Sequence, residues 1–218
     1  RMEQFRPESI PNPAVKRLSL YLRQLEAFAR DNRQTISSRQ LGESLNLTDA
    51  QVRKDLAYFG QFGHPGIGYR VDDLIARVRH ILGTDKTWNV LLVGAGNLGR
   101  AMMGYRGFIA KGFNLVAVFD SDPAKVGQAV GGLTVQPMEE LESVVQQHSI
   151  RLGIIAVPAQ VAQQVADRLV SAGVHGLLNF APISLNVPPN VAVNSVDLAV
   201  QLEQLAFQLN FGIAGEVG

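Results

Sequence analysis

Trp88-Asn89-Val90-Leu91-Leu92-Val93-Gly94-Ala95-Gly96-Asn97-Leu98-Gly99 is the stretch on which the reading of this chain turns. A short aliphatic run bounded by glycine reads as a buried strand of a parallel sheet. The G-x-G-x-x-G that follows at once, and opens a helical stretch, is a dinucleotide-binding fingerprint in the setting its chemistry needs. Gly94 permits the tight turn, Gly96 leaves room for a pyrophosphate to approach the backbone, and Gly99 lets helix and strand pack closely. The amides at the helix start then face the phosphates. About 20 residues further on, an apolar strand over 113–119 ends in Asp120, whose carboxylate suits an adenosine ribose. With Asp122 nearby and no arginine directly after the strand, a 2′-phosphate would be repelled, so NADH and NAD+ are expected rather than their phosphorylated forms.

Downstream, strands and helices keep alternating. A strand is expected at 132–135, a helix at 138–147, a strand at 152–157 stopped by Pro158, a helix at 159–172 and a strand at 176–180. This is the pattern of a Rossmann-type doubly wound sheet, whose ligands lie beyond the carboxyl ends of the strands. Gly94, Ala95, Gly96, Asn97, Leu98, Gly99 and Asp120 are the candidate pyrophosphate and ribose contacts. Ala156, Val157, Pro158, Phe180 and Ala181 either border the nicotinamide half or pack the strand ends. The last helix, expected at 197–211, carries Leu198, Val200, Leu202, Leu205, Phe207, Leu209 and Phe211 and, after Asp197 at its start, only Glu203 is charged inside it. Apolar residues on more than one face call for cover on both sides, by a partner subunit or by the chain itself.

Upstream the character changes. Residues 1–82 carry 13 Lys or Arg against 9 Asp or Glu, while 83–218 carry 7 against 10. A basic front points to an anionic partner, nucleic acid first among them. Asn12 before Pro13 marks the start of a helix running to about residue 31, with Val15, Leu18, Leu22, Leu25 and Ala29 as its buried stripe. Ser37 with Gln40 and Thr48 with Gln51 form two capping boxes, so helices near 38–45 and 49–59 follow each other as a helix-turn-helix. On the second helix Val52, Leu56 and Phe59 face inward. Gln51, Arg53, Lys54 and Tyr58, beside small Ala50 and Ala57, form a face suited to a DNA major groove or simply to solvent. The glycine-rich segment 60–71 reads as a β-hairpin wing whose His64 and Arg70 could reach a minor groove, His64 being equally at home as an exposed loop residue. Asp72 or Asp73 caps a further helix that Gly83 ends, and 84–86 is a polar hinge.

The chain has 218 residues, 46% of them apolar and 18% charged, with 20 Lys plus Arg against 19 Asp plus Glu. That suits one large or two small globular domains and excludes a disordered chain. No run is long and apolar enough for a bilayer helix, and the first residues lack the apolar core of a leader. Without cysteine there are no disulfides, thiolate metal sites or thiol chemistry, and a cytoplasmic protein without a metal is expected.

Gln51-Val52-Arg53-Lys54-Asp55-Leu56-Ala57-Tyr58-Phe59-Gly60, Gly66-Ile67-Gly68-Tyr69, the loop 93–99, Ile155-Ala156-Val157-Pro158-Ala159, Leu178-Asn179-Phe180-Ala181-Pro182 and Val196-Asp197-Leu198-Ala199 are specific in combination. Together, over nearly the whole chain, they resemble the Rex family of bacterial redox-sensing repressors. The resemblance implies a homodimer that binds palindromic double-stranded operator DNA, reads the NADH/NAD+ balance and leaves DNA when NADH binds. It also implies a switch in which Asp197, on an exchanged last helix, pairs alternatively with Arg23 or Tyr105. The expected α/β architecture is a winged-helix DNA-binding domain over 12–83, a Rossmann-type NAD(H) domain over 84–196 and a dimerisation helix over 197–211, with no enzymatic activity. An NAD-dependent dehydrogenase is the first alternative. It lacks a proton carrier, since His64, His80, His148 and His175 all fall away from the carboxyl ends of the strands. A nucleotide- or CoA-binding assembly module is the second.

Overall fold

In the computed structural model, which describes residues 10–60, 63 and 68–212, Ser37 Oγ accepts from the Gln40 amide at 3.1 Å and the Ser37 amide donates to Gln40 Oε1 at 3.0 Å. This complete capping box starts α2 (Ser38–Glu43). Thr48 starts α3 (Asp49–Ala57) with half of the same device. Its hydroxyl accepts from the Gln51 amide at 3.1 Å, but the Gln51 side chain turns to Asp55 and not back to the cap. Between the two helices a Cβ on Gly42 would stand 2.6 Å from the Leu47 carbonyl oxygen, so glycine lets the turn close.

α1 (Asn12–Arg30) is capped by Pro11 and not by Asn12, because the Pro11 carbonyl accepts from the Ala14 and Val15 amides. Its buried side is wider than the expected stripe: Ala14, Tyr21 and Phe28 join Leu18, Leu22 and Leu25, while Val15 is exposed and Ala29 only half-buried. The reason is that α1 packs against α4 (Val71–Leu82) as well as against α2 and α3. α4 follows Arg70 as its cap residue. Asp72 and Asp73 sit in its first turn, where they meet the positive end of the helix dipole, and left-handed Gly83 ends it. β2 (Tyr69–Arg70) pairs antiparallel with β1 (Thr35–Ile36), a strand that the sequence does not announce. Residues 61, 62 and 64–67 of the expected wing, His64 among them, lie outside the described residues. Leu18, Tyr21, Leu25, Ile36, Leu41, Val52, Leu56 and Val78 form the core of this unit.

A second compact unit begins at Thr87. It contains β3 (Trp88–Val93), α5 (Asn97–Met103), α6 (Gly107–Ala110), β4 (Phe113–Asp120), β5 (Ala129–Val130), β6 (Leu133–Pro137), a 3-10 turn (Met138–Glu140), α7 (Leu141–Gln147), β7 (Leu152–Ile155), α8 (Ala159–Ser171), β8 (Gly176–Asn179), β9 (Ala192–Ser195) and α9 (Leu198–Asn210). The sheet order is β5-β6-β4-β3-β7-β8-β9, and every neighbouring pair is parallel except β5–β6. From β6 to β9 this is the doubly wound order, which reverses direction between β3 and β7. The expected strand at 132–135 is thus one arm of a hairpin, and the expected helix at 138–147 opens with a tight turn. β9 lacks an apolar run because it is a largely exposed edge.

Side chains alternate across the sheet. Leu91, Val93, Ala117 and Phe119 pack with α7 and α8, and Val90, Leu92, Val118 and Ile154 face the side of α5. That second face stays open on part of its width, leaving an apolar cavity of about 530 Å³ bordered by Phe108, Phe113, Leu115, Leu152, Ile154 and Leu178. No residue of α9 is buried, and Leu202 and Leu209 are 66% and 73% exposed. Cover by its own chain, one of the two possibilities left open by the sequence, is therefore not what this helix has among the described residues.

Candidate nucleotide crevice and nucleic-acid-facing helix

Gly94 leaves β3 at φ +106°, and a Cβ there would collide with the Ala156 carbonyl oxygen. The ends of β3 and β7 therefore touch where the strand order reverses. A Cβ on Gly99 would collide with the Gly94 carbonyl oxygen, which folds the loop tightly onto α5. Gly96 differs: nothing stands within 4 Å of a Cβ built on it. That open approach is what a pyrophosphate requires, and no side chain caps α5 in competition for its first amides. Asn97 and Leu98 are exposed at the same end. Arg100 Nε donates to the Ala95 carbonyl at 3.2 Å, and its guanidinium also bonds Gln128, tying the loop to the segment after β4.

Asp120 ends β4 and is 8% exposed. Its carboxylate accepts from the Ala95 amide at 2.8 Å, the Asp122 amide at 2.9 Å and Lys125 Nζ at 3.2 Å. Burial alone would raise this carboxyl, but the Asp122 and Ala95 amides and the Lys125 ammonium outweigh it and hold the group below its ordinary value. An ionised carboxylate offers roughly four acceptor positions, so one remains for a ribose hydroxyl. Lys125, also 3.7 Å from Asp122, adds a cation to this edge that the sequence reading does not include. The turn that bonds the Lys125 amide to the Asp122 carbonyl brings the cation back.

At the carboxyl ends of β7 and β8, Ala156, Val157 and Phe180 are half-buried and Pro158 is exposed. Ala181 is only 4% exposed and packs in the core. Fully buried Asn179 shapes the turn: Oδ1 accepts from the Ala181 amide at 3.0 Å, and Nδ2 donates to the Ala181 and Ile183 carbonyls at 3.1 and 2.9 Å.

On α3, Arg53 and Lys54 are exposed, and Arg53 pairs with Asp49 at 2.7 Å one turn earlier. Tyr58 is half-buried with its ring edge toward Phe59, and exposed Arg70 lies 3.5 Å from Asp73. The helix also holds a functional candidate that the sequence reading misses. Asp55 is wholly buried and accepts from Arg17 Nε and Nη2 at 2.5 and 2.8 Å, from the Tyr21 hydroxyl at 2.7 Å and from Gln51 Nε2 at 2.8 Å. A signal for it exists, since Val52, Asp55, Leu56 and Phe59 follow the i, i+3, i+4, i+7 spacing of one buried face. Of the implied switch residues, Arg23 is exposed on α1, and Tyr105 is 60% exposed with its ring edge-on to Phe108 at 5.0 Å. Asp197 caps α9 through Oδ1 alone, accepting from the Ala199 and Val200 amides at 2.9 and 3.2 Å.

A capped helix-turn-helix ahead of a doubly wound nucleotide fold defines a class, the nucleotide-responsive transcription regulator. Two family models match the chain, a putative DNA-binding protein N-terminus over residues 9–57 and a CoA binding domain over residues 85–183. The redox-sensing transcriptional repressor Rex of Carboxydothermus hydrogenoformans is 52% identical over 92% of this chain and 96% of its own, and Rex 1 of Thermotoga maritima is 44% identical over 93% and 97%. A crystal structure of RSP with β-NAD+ and operator DNA superposes with a TM-score of 0.89 at 38% identity, covering 96% of this chain and 99% of that one. RSP with β-NADH gives 0.85 at 37%, over 94% and 96%. The chain belongs to the Rex family of redox-sensing transcriptional repressors, regulators and not enzymes, which sets aside the dehydrogenase and assembly-module alternatives.

Proposed function

We propose that this protein is a cytoplasmic repressor that grips a palindromic operator as a homodimer and lets go when NADH enters its crevice. Residues 12–83 serve as the DNA-binding head, 84–196 as the NAD(H) domain and 197–211 as the dimerisation helix. The observation that carries the reading is the crevice: forced glycines at 94 and 99, open space at Gly96 and an ionised Asp120 at the neighbouring strand end. The loop 94–99 would hold the pyrophosphate, Asp120 with Lys125 the adenosine ribose, and Ala156, Val157, Pro158 and Phe180 the nicotinamide end. That a relative binds operator DNA together with β-NAD+, and also binds β-NADH, supports the direction of the switch.

Dimerisation rests on the fit between the apolar α9 and the open apolar sheet face, each needing a cover of the chemistry that the other offers. The α9 of a second copy is the proposed occupant. Asp197 Oδ2 makes no hydrogen bond among the described residues, so it can take either the Arg23 guanidinium or the Tyr105 phenol. A nucleotide that favours one pairing biases the equilibrium between a DNA-competent and a released dimer.

Fluorescence anisotropy on the duplex that the protein selects from a random pool tests the whole reading. NADH is expected to lower the affinity by about 5- to 150-fold, the usual range of allosteric coupling, and an affinity indifferent to NADH would remove the sensor. Asp120→Ala is expected to weaken NADH binding by about 10-fold or more, the loss of a hydrogen bond to a charged group. An unchanged NADH titration would take the ribose away from Asp120.

A further inference from the structure

The buried carboxylate of α3 has no counterpart in the function described so far. Asp55 lies on the face that packs into the core, where a leucine would cost less, since replacing a buried ion pair by apolar residues of similar volume is often neutral or stabilising. Stability therefore does not explain it. Geometry does: its acceptors are filled by Arg17 and Tyr21 from α1 and by Gln51 one turn earlier on α3. Such directional bonds stop α3 from sliding or rolling on α1 without a buried charge losing a partner.

They also settle the orientation of an amide. An ionised carboxylate only accepts, so Gln51 must turn Nε2 toward it. Gln51 Oε1 is left with no hydrogen bond among the described residues, on a half-buried residue at the start of the helix face that carries Arg53 and Lys54. We propose that Asp55 is a positioning residue for sequence reading: it clamps α3 on α1 and holds Gln51 with its donor inward, so that Gln51 meets a base edge through its acceptor oxygen. In the major groove the amino donors are adenine N6 and cytosine N4. Asparagine at position 55 can donate to Gln51 Oε1, letting the amide turn over and the preference relax or invert.

The inference rests on the proposed DNA-binding function, and its test separates the two. The duplex selected from a random pool, and each of its single-base-pair variants, are titrated with wild type, Gln51→Ala, Asp55→Asn and the apolar triple Arg17→Met, Tyr21→Phe, Asp55→Leu. NADH affinity and thermal melting are followed in parallel. Gln51→Ala is expected to flatten discrimination at one base pair of each half-site by about 5-fold or more. Asp55→Asn and the triple should flatten or invert the same base pair while NADH binding persists. Should Asp55→Asn fail to fold, the triple, whose core stays filled, decides between the outcomes. A discrimination profile left as in wild type, even at lower overall affinity, makes Asp55 a mere structural anchor and overturns the proposal, as does a Gln51→Ala that flattens nothing. A wild-type chain that selects no duplex overturns the proposed function itself, and this inference falls with it.

Discussion

A chain carrying Leu202→Glu together with Leu209→Glu is expected to sediment as a monomer and to bind its operator about 10²- to 10⁴-fold more weakly, the loss that follows when two linked half-site contacts become one. At 3.6 residues per turn Leu198, Leu202, Leu205 and Leu209 share one side of α9, while Val200, Phe207 and Phe211 share the opposite side. The Phe207 and Phe211 rings stand 4.8 Å apart on that second side. A helix with one apolar stripe needs one partner surface. A helix with two opposed stripes must be sandwiched, and no residue of α9 is buried within its own chain. Two carboxylates on the leucine stripe would have to enter an apolar groove unpaired, at a cost of several kcal/mol each. Both leucines are exposed in the single chain, so the change empties no core and should leave helicity and NADH affinity in place. Sedimentation equilibrium decides: a variant that still runs as a dimer would take dimerisation away from α9.

What is legible in the sequence is local or periodic. The glycines at 94, 96 and 99 and the Ser37 box depend on neighbours a few residues away, and each stands where the spacing requires. The alternation of strands and helices is readable because parallel strands buried on both faces are continuous apolar runs. Elements held by distant partners are not. β1 exists because Thr35 and Ile36 meet Tyr69 and Arg70, and β9 is an edge with a mixed pattern. Lys125 lies in a polar stretch and becomes part of the ribose edge only through the turn that carries it back to Asp120. Asp55 is the instructive case, since its spacing announces an inward position while its charge argues for a surface one. The conflict is resolved by Arg17 and Tyr21, 38 and 34 residues away, which no local pattern connects to it.

Arg53→Ala combined with Lys54→Ala is expected to lower operator affinity by about 10²- to 10⁴-fold, taking roughly 1 kcal/mol per lost contact in each half of a dimer. The two cations occupy adjacent positions on the exposed part of α3, and Lys54 has no ion pair among the described residues. Arg53 has Asp49 one turn away, but a pair with side chains 57% and 43% exposed contributes little in water and yields readily to a phosphate. Each phosphate neutralised by these side chains releases a condensed counterion, so the logarithm of the affinity should fall less steeply with salt in the variant. Four charges removed per dimer correspond to a slope shallower by about 3 to 4. A change that merely unfolded the head would lower affinity without this signature. Arg151→Ala, which removes an exposed cation from the nucleotide unit, should alter neither affinity nor slope. NADH titrations of all three proteins should coincide, because the crevice is built wholly from residues after Thr87. A double variant with the wild-type salt slope would mean that α3 does not touch the phosphate backbone, and the DNA-facing side of the head would have to be sought elsewhere.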